Sequence, residues 1–264
     1  MHRIALTAAD GVGLDAVFHP VPHGRTVRGV VVQAHGIAAD LDEGGMFERL
    51  AESLVAAGFT VLRFSFRGHG ESEGSQRGIT ISGELLDLQA ALDRAQDEEA
   101  GAPLFVIAAS FGAVATCLSL RWLSGKLAGL VLWNPVLDLR RTFLEPELPW
   151  GLENFGPEAL KQQEESGVLL LDGEFELSRV LFAEMRHWQP GESFVADATS
   201  ALIVHGDQDS YVSYDVAREA AARHGNCDFH TVRGSDHGFD SRDREDEAIE
   251  VTADWLIARS RSGQ

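Results

Sequence analysis

Strand-like apolar runs recur along this 264-residue chain, and between them apolar residues fall three and four apart. The runs are GVVVQA from Gly29, FTVLRFSF from Phe59, LFVIAA from Leu104, LAGLVLW from Leu127, ALIVHG from Ala201 and CDFHTV from Cys227. A continuous β-branched run marks a strand covered on both faces, because alternation disappears when neither face meets water. Between the runs, Phe47, Leu50, Leu54 and Val55, and later Leu85, Leu88 and Leu92, share one side of a helical repeat. Such alternation predicts an α/β fold: a mostly parallel sheet with right-handed crossovers and helices on both faces. At the amino end RIALTA and LDAVFH read as antiparallel edge strands joined at Asp10-Gly11, which brings the sheet to eight strands.

The rhythm fails between 137 and 197. That stretch holds Pro146, Pro149, Pro157 and Pro190 with several helix-like pieces, and its apolar residues form no strand run. A structureless loop of this length runs against what compact domains contain. Residues 137–197 are therefore read as an inserted helical cap over a core made of 1–136 and 198–264. The insert is too short to hold much core of its own.

Composition narrows the partners. With 41 acidic and 22 basic residues the formal net charge is −19, so phosphate backbones and anionic membranes would be repelled. Neither nucleic acid nor membrane insertion is expected, since no apolar run reaches the length of a span. The start, MHRIALTAADGVGLD, shows no apolar signal core. Cys117 and Cys227 are too few for a disulfide framework and are expected to be reduced. These features predict a cytoplasmic protein, and they do not separate a monomer from a homodimer. No histidine or carboxylate pair has metal-ligand spacing, so neither a metal nor another cofactor is expected.

In a parallel sheet, function gathers beyond the carboxyl ends of the strands. There stand His35, Gly36 and Ile37, then RGHGES, then Ser110, then Asp207 and Asp209, and lastly His237 within RGSDHGF. A serine, an acid and a histidine thus occur in that order. A serine hydroxyl is a poor nucleophile until a base takes its proton, and an imidazole titrates near the working pH. A carboxylate must then hold the imidazole in the right tautomer. Asp207 and Asp209 compete for that place, and their spacing does not separate them.

With these residues in this order the chain resembles the α/β-hydrolases. HGI looks like that family's oxyanion segment. FRGHGESEG is similar to the loop after the fourth strand in serine-aminopeptidase-like, monoacylglycerol-lipase-like and cinnamoyl-esterase-like members. HGDQDSYV resembles the acid loop G-x-x-D-x-x-V, and GSDHGF the histidine loop. The resemblance covers all but the cap. It implies Ser110 as nucleophile, His237 as base and Asp209, three residues before Val212, as the acid. It also implies the backbone N–H groups of Ile37 and Phe111 as oxyanion donors.

One departure stands out. The family's G-x-S-x-G elbow here reads Ala108-Ala109-Ser110-Phe111-Gly112. The first glycine serves close packing of helix on strand, and a methyl group is the smallest intrusion there. Asp207, Asp236, His35, His69 and His205 are read as loop braces. FRGHGESEG lacks the G-K-[ST] ending of a nucleotide loop.

A serine nucleophile excludes the carboxylate-based dehalogenase and epoxide hydrolase chemistries of this architecture. The cap aromatics Phe143, Trp150, Phe155, Phe175, Phe182 and Trp188 are expected mostly to pack it down, with Trp150, Phe182 and Trp188 as candidates to line an apolar pocket. The expected substrate is a small-molecule ester or thioester with a hydrophobic acyl group, cleaved through an acyl-enzyme. The alternatives are an amidase or aminopeptidase, an acyltransferase or cyclase using the same residues, and a non-catalytic binding module.

Overall fold

The computed structural model describes residues 1–123 and 125–261. Eight strands form one sheet: β1 (His2–Thr7), β2 (Gly13–His19), β3 (Gly29–Ala34), β4 (Phe59–Phe64), β5 (Leu104–Ala109), β6 (Leu127–Trp133), β9 (Ala201–Gly206) and β10 (Cys227–Val232). Their spatial order is β1-β2-β4-β3-β5-β6-β9-β10. β2 runs antiparallel to both its neighbours, and every other pair is parallel. The amino-terminal pair therefore forms, but only β1 lies at an edge. Pairing of Ala16 with Phe64 and His19 with Val61 carries β2 into the sheet.

The apolar runs are continuous because both faces are covered. Along β5, Leu104, Val106 and Ala108 join one buried cluster, and Phe105, Ile107 and Ala109 join the opposite one. The first cluster is closed by α2 (Ile81–Glu98), α3 (Gly112–Leu123) and α8 (Tyr214–His224). The second is closed by α1 (Met46–Ala57) and α9 (Arg242–Arg261). Each fully buried aliphatic or aromatic side chain contributes about 1.5–3 kcal/mol, so both faces hold the sheet in register. Thr80 caps α2 by accepting the Gly83 N–H at 2.9 Å, a contact worth about 1 kcal/mol.

The loop after β4 is anchored by Arg67. Its guanidinium reaches Asp87 Oδ1 and Asp10 Oδ2, each at 2.7 Å, and the Asp87 side chain is wholly buried. This leaves RGHGES in one place beside the strand ends.

Between 137 and 197 the chain makes a wide turn at Arg140–Leu144, then α4 (Pro149–Phe155), α5 (Pro157–Ser166), α6 (Arg179–Met185) and α7 (Pro190–Val195). Proline opens α4, α5 and α7, where its missing N–H has no helical partner to lose. This stretch is not wholly helical. A hairpin of β7 (Val168–Leu171) and β8 (Phe175–Ser178) interrupts it. The apolar run VLLL hides the strand period because Leu170 is 50% exposed while its neighbours Leu169 and Leu171 are buried. Phe143, Phe155, Leu177, Leu181 and Phe182 form a third cluster with Phe111, Val114 and Leu118, which seats the segment on the start of α3. Among the described residues, no helix is long and apolar enough to cross a membrane.

Candidate active site

Ser110 occupies the turn from β5 into α3 with φ 47°, a left-handed conformation costly for any residue with a Cβ. Neighbouring backbone holds it there. Ser110 N donates to Trp133 O at 2.9 Å, and Ser110 O accepts from Val136 N at 3.0 Å. Two residues on, a Cβ at Gly112 would lie 2.5 Å from the Ala34 and His35 carbonyl oxygens, so only glycine fits. Ala108 keeps its methyl group fully buried in the cluster that also holds Ala113 and Ala115. The elbow therefore accommodates its departure from glycine with small residues of the same core.

Ser110 Oγ lies 3.1 Å from His237 Nε2, and His237 Nδ1 lies 2.9 Å from Asp209 Oδ2. A carboxylate only accepts, so Nδ1 carries a hydrogen and Nε2 of the neutral ring is left to take the serine proton. Asp209 Oδ1 accepts the N–H groups of Tyr211 and Val212, at 2.9 and 2.8 Å. Burial alone would raise the Asp209 carboxyl, but the charge and hydrogen bond of His237, with His205 alongside, hold it well below the usual carboxylate range. Burial likewise would lower His237, yet the charge and hydrogen bond of Asp209, with the charges of Glu43 and Asp236, together outweigh it and raise the imidazole above its ordinary value.

The other acids of the two loops face elsewhere. Asp207 Oδ1 accepts Gly234 N at 2.6 Å. Asp236 Oδ1 accepts the N–H groups of Ser210 and His237, both at 2.7 Å, tying the acid loop to the histidine loop. His205 Nε2 stands 3.1 Å from Asp209 Oδ2 but off the angle of a hydrogen bond, and both its ring nitrogens lack partners among the described residues. His69 bonds Arg67 O at 3.1 Å and stacks on Phe175 with ring centres 4.9 Å apart, so it joins the β4 loop to the β7–β8 hairpin.

His35 orients the turn after β3. Its Nε2 accepts Phe66 N at 2.9 Å, so its Nδ1 carries the hydrogen that reaches Gly36 O at 2.7 Å. Burial, reinforced by His69, keeps the ring neutral by pushing its pKa well down. In a trans peptide the next N–H points opposite to the carbonyl. Holding Gly36 O therefore turns the Ile37 N–H away from His35. Among the described residues the N–H groups of Ile37 and Phe111 donate to no acceptor. Two free donors beside one serine can stabilise a developing oxyanion.

Ser110 and His237 open on a cavity of about 130 Å³ whose wall includes Ile37, Val136, Phe143, Trp150, Leu171 and Tyr211. Asp172 also lines it, held by Trp150 Nε1 at 3.2 Å and Asn154 Nδ2 at 3.0 Å. Of the three aromatics singled out from the sequence, only Trp150 reaches this space. Phe182 is 3% exposed within the third cluster. Trp188 lines a separate cavity of about 370 Å³ between α6, α7 and α8. That cavity and an open one of about 610 Å³ beside His69 are larger, but neither touches Ser110, Asp209 or His237. Glu43, Asp172 and Tyr211 join the site without having been singled out. Asp172-Gly173 carried a turn signal, whereas Glu43 carried none.

The sequence matches the family model described as serine aminopeptidase, S33, over residues 25–166, more than half of the chain. Monoglyceride lipase from Homo sapiens is 26% identical over 113 residues, a stretch covering 42% of this chain and 36% of the lipase. The chain therefore aligns with about a third of that relative's length. Among solved structures, Est1E from Butyrivibrio proteoclasticus with bound ferulic acid superposes with TM-score 0.82 at 20% identity, covering 97% of this chain and 98% of Est1E. An esterase of Pyrococcus furiosus gives 0.74 at 20% identity, covering 97% of this chain and 90% of that one. At such identity these likenesses speak to the fold alone.

Proposed function

This chain belongs to the serine aminopeptidase S33 family and has the α/β-hydrolase fold, and we propose that it is a serine hydrolase that cleaves a carboxylic ester or thioester with a hydrophobic acyl group through an acyl-enzyme. One observation carries the reading: the unbroken contact from Ser110 Oγ through His237 to Asp209, at the wall of a mostly apolar cavity. Ser110 Oγ attacks the acyl carbon as His237 Nε2 takes its proton. Asp209 stabilises the imidazolium that forms. The former carbonyl oxygen, now negative, takes the N–H groups of Ile37 and Phe111, each donor being worth about 3–4 kcal/mol by analogy with measured cases. His237 then protonates the leaving alkoxide or thiolate. Water repeats the attack on the acyl-enzyme, releasing the acid and restoring Ser110.

The cavity limits the acyl group. About 130 Å³ is well below the roughly 300 Å³ at which drug-sized pockets begin, so a short or compact acyl group fits best. The 137–197 segment, contributing Phe143, Trp150 and Leu171 to the wall, acts as the cap that shapes this choice. A second reading, an amidase or aminopeptidase, draws on Asp172, a carboxylate in an otherwise mostly apolar wall where an ammonium would find its counter-charge.

A fluorophosphonate tests the nucleophile. Intact mass is expected to show one adduct on the wild type and none on Ser110→Ala; a folded wild type that stays unlabelled would refute the reading. A panel of nitrophenyl esters, acyl thioesters and aminoacyl anilides separates the substrates. Turnover of anilides alone would favour the Asp172 reading over the ester.

A further inference from the structure

A carboxylate that this mechanism does not use stands beside Ser110. Glu43 Oε2 accepts the Gly36 N–H at 2.6 Å. A methyl group placed on Gly36 would lie 3.6 Å from Glu43 Oε1 and 3.6 Å from Ser110 Oγ. Carboxylate and hydroxyl thus flank one backbone carbon. Glu43 belongs to the loop between β3 and α1, and its own backbone is left-handed at φ 46°, which folds the loop back onto the end of β3.

Both polar groups of Gly36 are therefore taken, its N–H by Glu43 and its carbonyl by His35 Nδ1. The residue that carries the Ile37 N–H is hung from a backbone clamped on two sides. Only one of the two clamps is an acid. Burial raises the Glu43 carboxyl above its ordinary value, although the Gly36 N–H and the His237 charge oppose the rise. In turn Glu43 stands after Asp209 among the negative groups that favour a protonated His237.

We propose that Glu43 is a positioning residue of the Ser110 site: its carboxylate fixes the Gly36 backbone that presents the Ile37 N–H, and supplies a second negative charge to the His237 imidazole. A half-buried acid tied to a single backbone N–H is a costlier way to hold a loop than an amide, which would hold it as well. The charge is what the imidazolium uses. The labelling test rests on the serine-hydrolase reading above, and the titration test does not.

Glu43→Gln keeps an oxygen able to accept the Gly36 N–H and removes the charge; Glu43→Ala removes both. The His237 signal is assigned in isotope-labelled histidine spectra by its loss in His237→Gln. The other groups facing that ring are Ser110, Asp209, Tyr211 and Asp236, with His205 behind Asp209, and all stay in place. With one anion gone, the His237 titration midpoint is expected to fall in Glu43→Gln relative to wild type. Fluorophosphonate labelling at fixed pH is expected to slow about tenfold in Glu43→Ala and to recover in part in Glu43→Gln.

A midpoint unmoved in Glu43→Gln would overturn the proposal, and so would labelling at the wild-type rate in both variants. Loss of melting temperature and labelling rate in both, with the midpoint unchanged, would mark Glu43 as a structural brace and overturn it too. If Glu43→Ala does not fold, Glu43→Gln decides. A wild type that takes no label refutes the hydrolase reading, and the titration then judges Glu43 separately.

Discussion

Asp209 Oδ2 lies 2.9 Å from His237 Nδ1, and its other oxygen is occupied by the backbone of Tyr211 and Val212. One oxygen serves the imidazole and one serves the loop, so the carboxylate cannot rotate without losing both contacts. Its neighbour Asp207 is directed at Gly234.

Asp209→Asn places an amide where His237 Nδ1 needs an acceptor, which favours the wrong tautomer. Turnover of a nitrophenyl ester is expected to drop about a thousandfold to ten-thousandfold. Asp207→Asn, which loosens only the Gly234 turn, is expected to cost under about tenfold. Steady-state kcat for both variants checks this; equal or reversed losses would exchange their roles.

The pH dependence has a definite sign. In the proposed mechanism His237 acts as a neutral base, so kcat/KM is expected to rise with pH as its proton is lost. Burial lowers its pKa, but Asp209, Glu43 and Asp236 together raise it more, and the acid limb is expected above the ordinary 6.5. The same shift gives the stability term. A histidine raised in the folded state contributes fully below its unfolded pKa and loses that contribution as pH rises through the folded value. A profile whose acid limb falls below 6.5 would contradict the assignment.

Asp87 tests the scaffold apart from the chemistry. Its side chain is wholly buried, and it takes the Arg67 backbone N–H at 2.9 Å and the guanidinium at 2.7 Å. Asp87→Ala leaves a mostly buried guanidinium with Asp10 alone, at an expected cost of about 3 kcal/mol in urea unfolding. A loss under about 1 kcal/mol would mean that Asp10 and water replace the pair.

Trp150 and Phe182 should separate specificity from packing. Trp150 lines the cavity, so Trp150→Ala is expected to move the preference in a series of acyl esters toward longer chains. Phe182 is buried in the third cluster, so Phe182→Ala is expected to cost about 3–5 kcal/mol and leave the order of preference unchanged. Matching chain-length profiles for Trp150→Ala and wild type would place the acyl group elsewhere.

The sheet was legible from local order. Apolar runs and helical spacing depend only on neighbours in the chain, and β3, β5 and β9 lie where their runs are. The residues beyond their ends are legible for the same reason, since each parallel strand delivers its next few residues to one edge of the sheet. Two misreadings share the opposite cause. β7 is only four residues long and one of its outward positions is a leucine, so its period was lost in the run. β2 alternates as an edge strand would, yet the long-range partner β4 covers its far side.

Chain order thus determined the α/β architecture and lined up a serine, two acids and a histidine at one edge of the sheet. Packing between distant segments decided the rest: Asp209 rather than Asp207 against His237, Trp150 rather than Phe182 or Trp188 beside Ser110, and Glu43 against Gly36. Those outcomes turn on ångström-scale approaches between loops joined to different strands. No spacing along the chain records how such loops fall against one another, because their contacts are made by the core that brings the strands together.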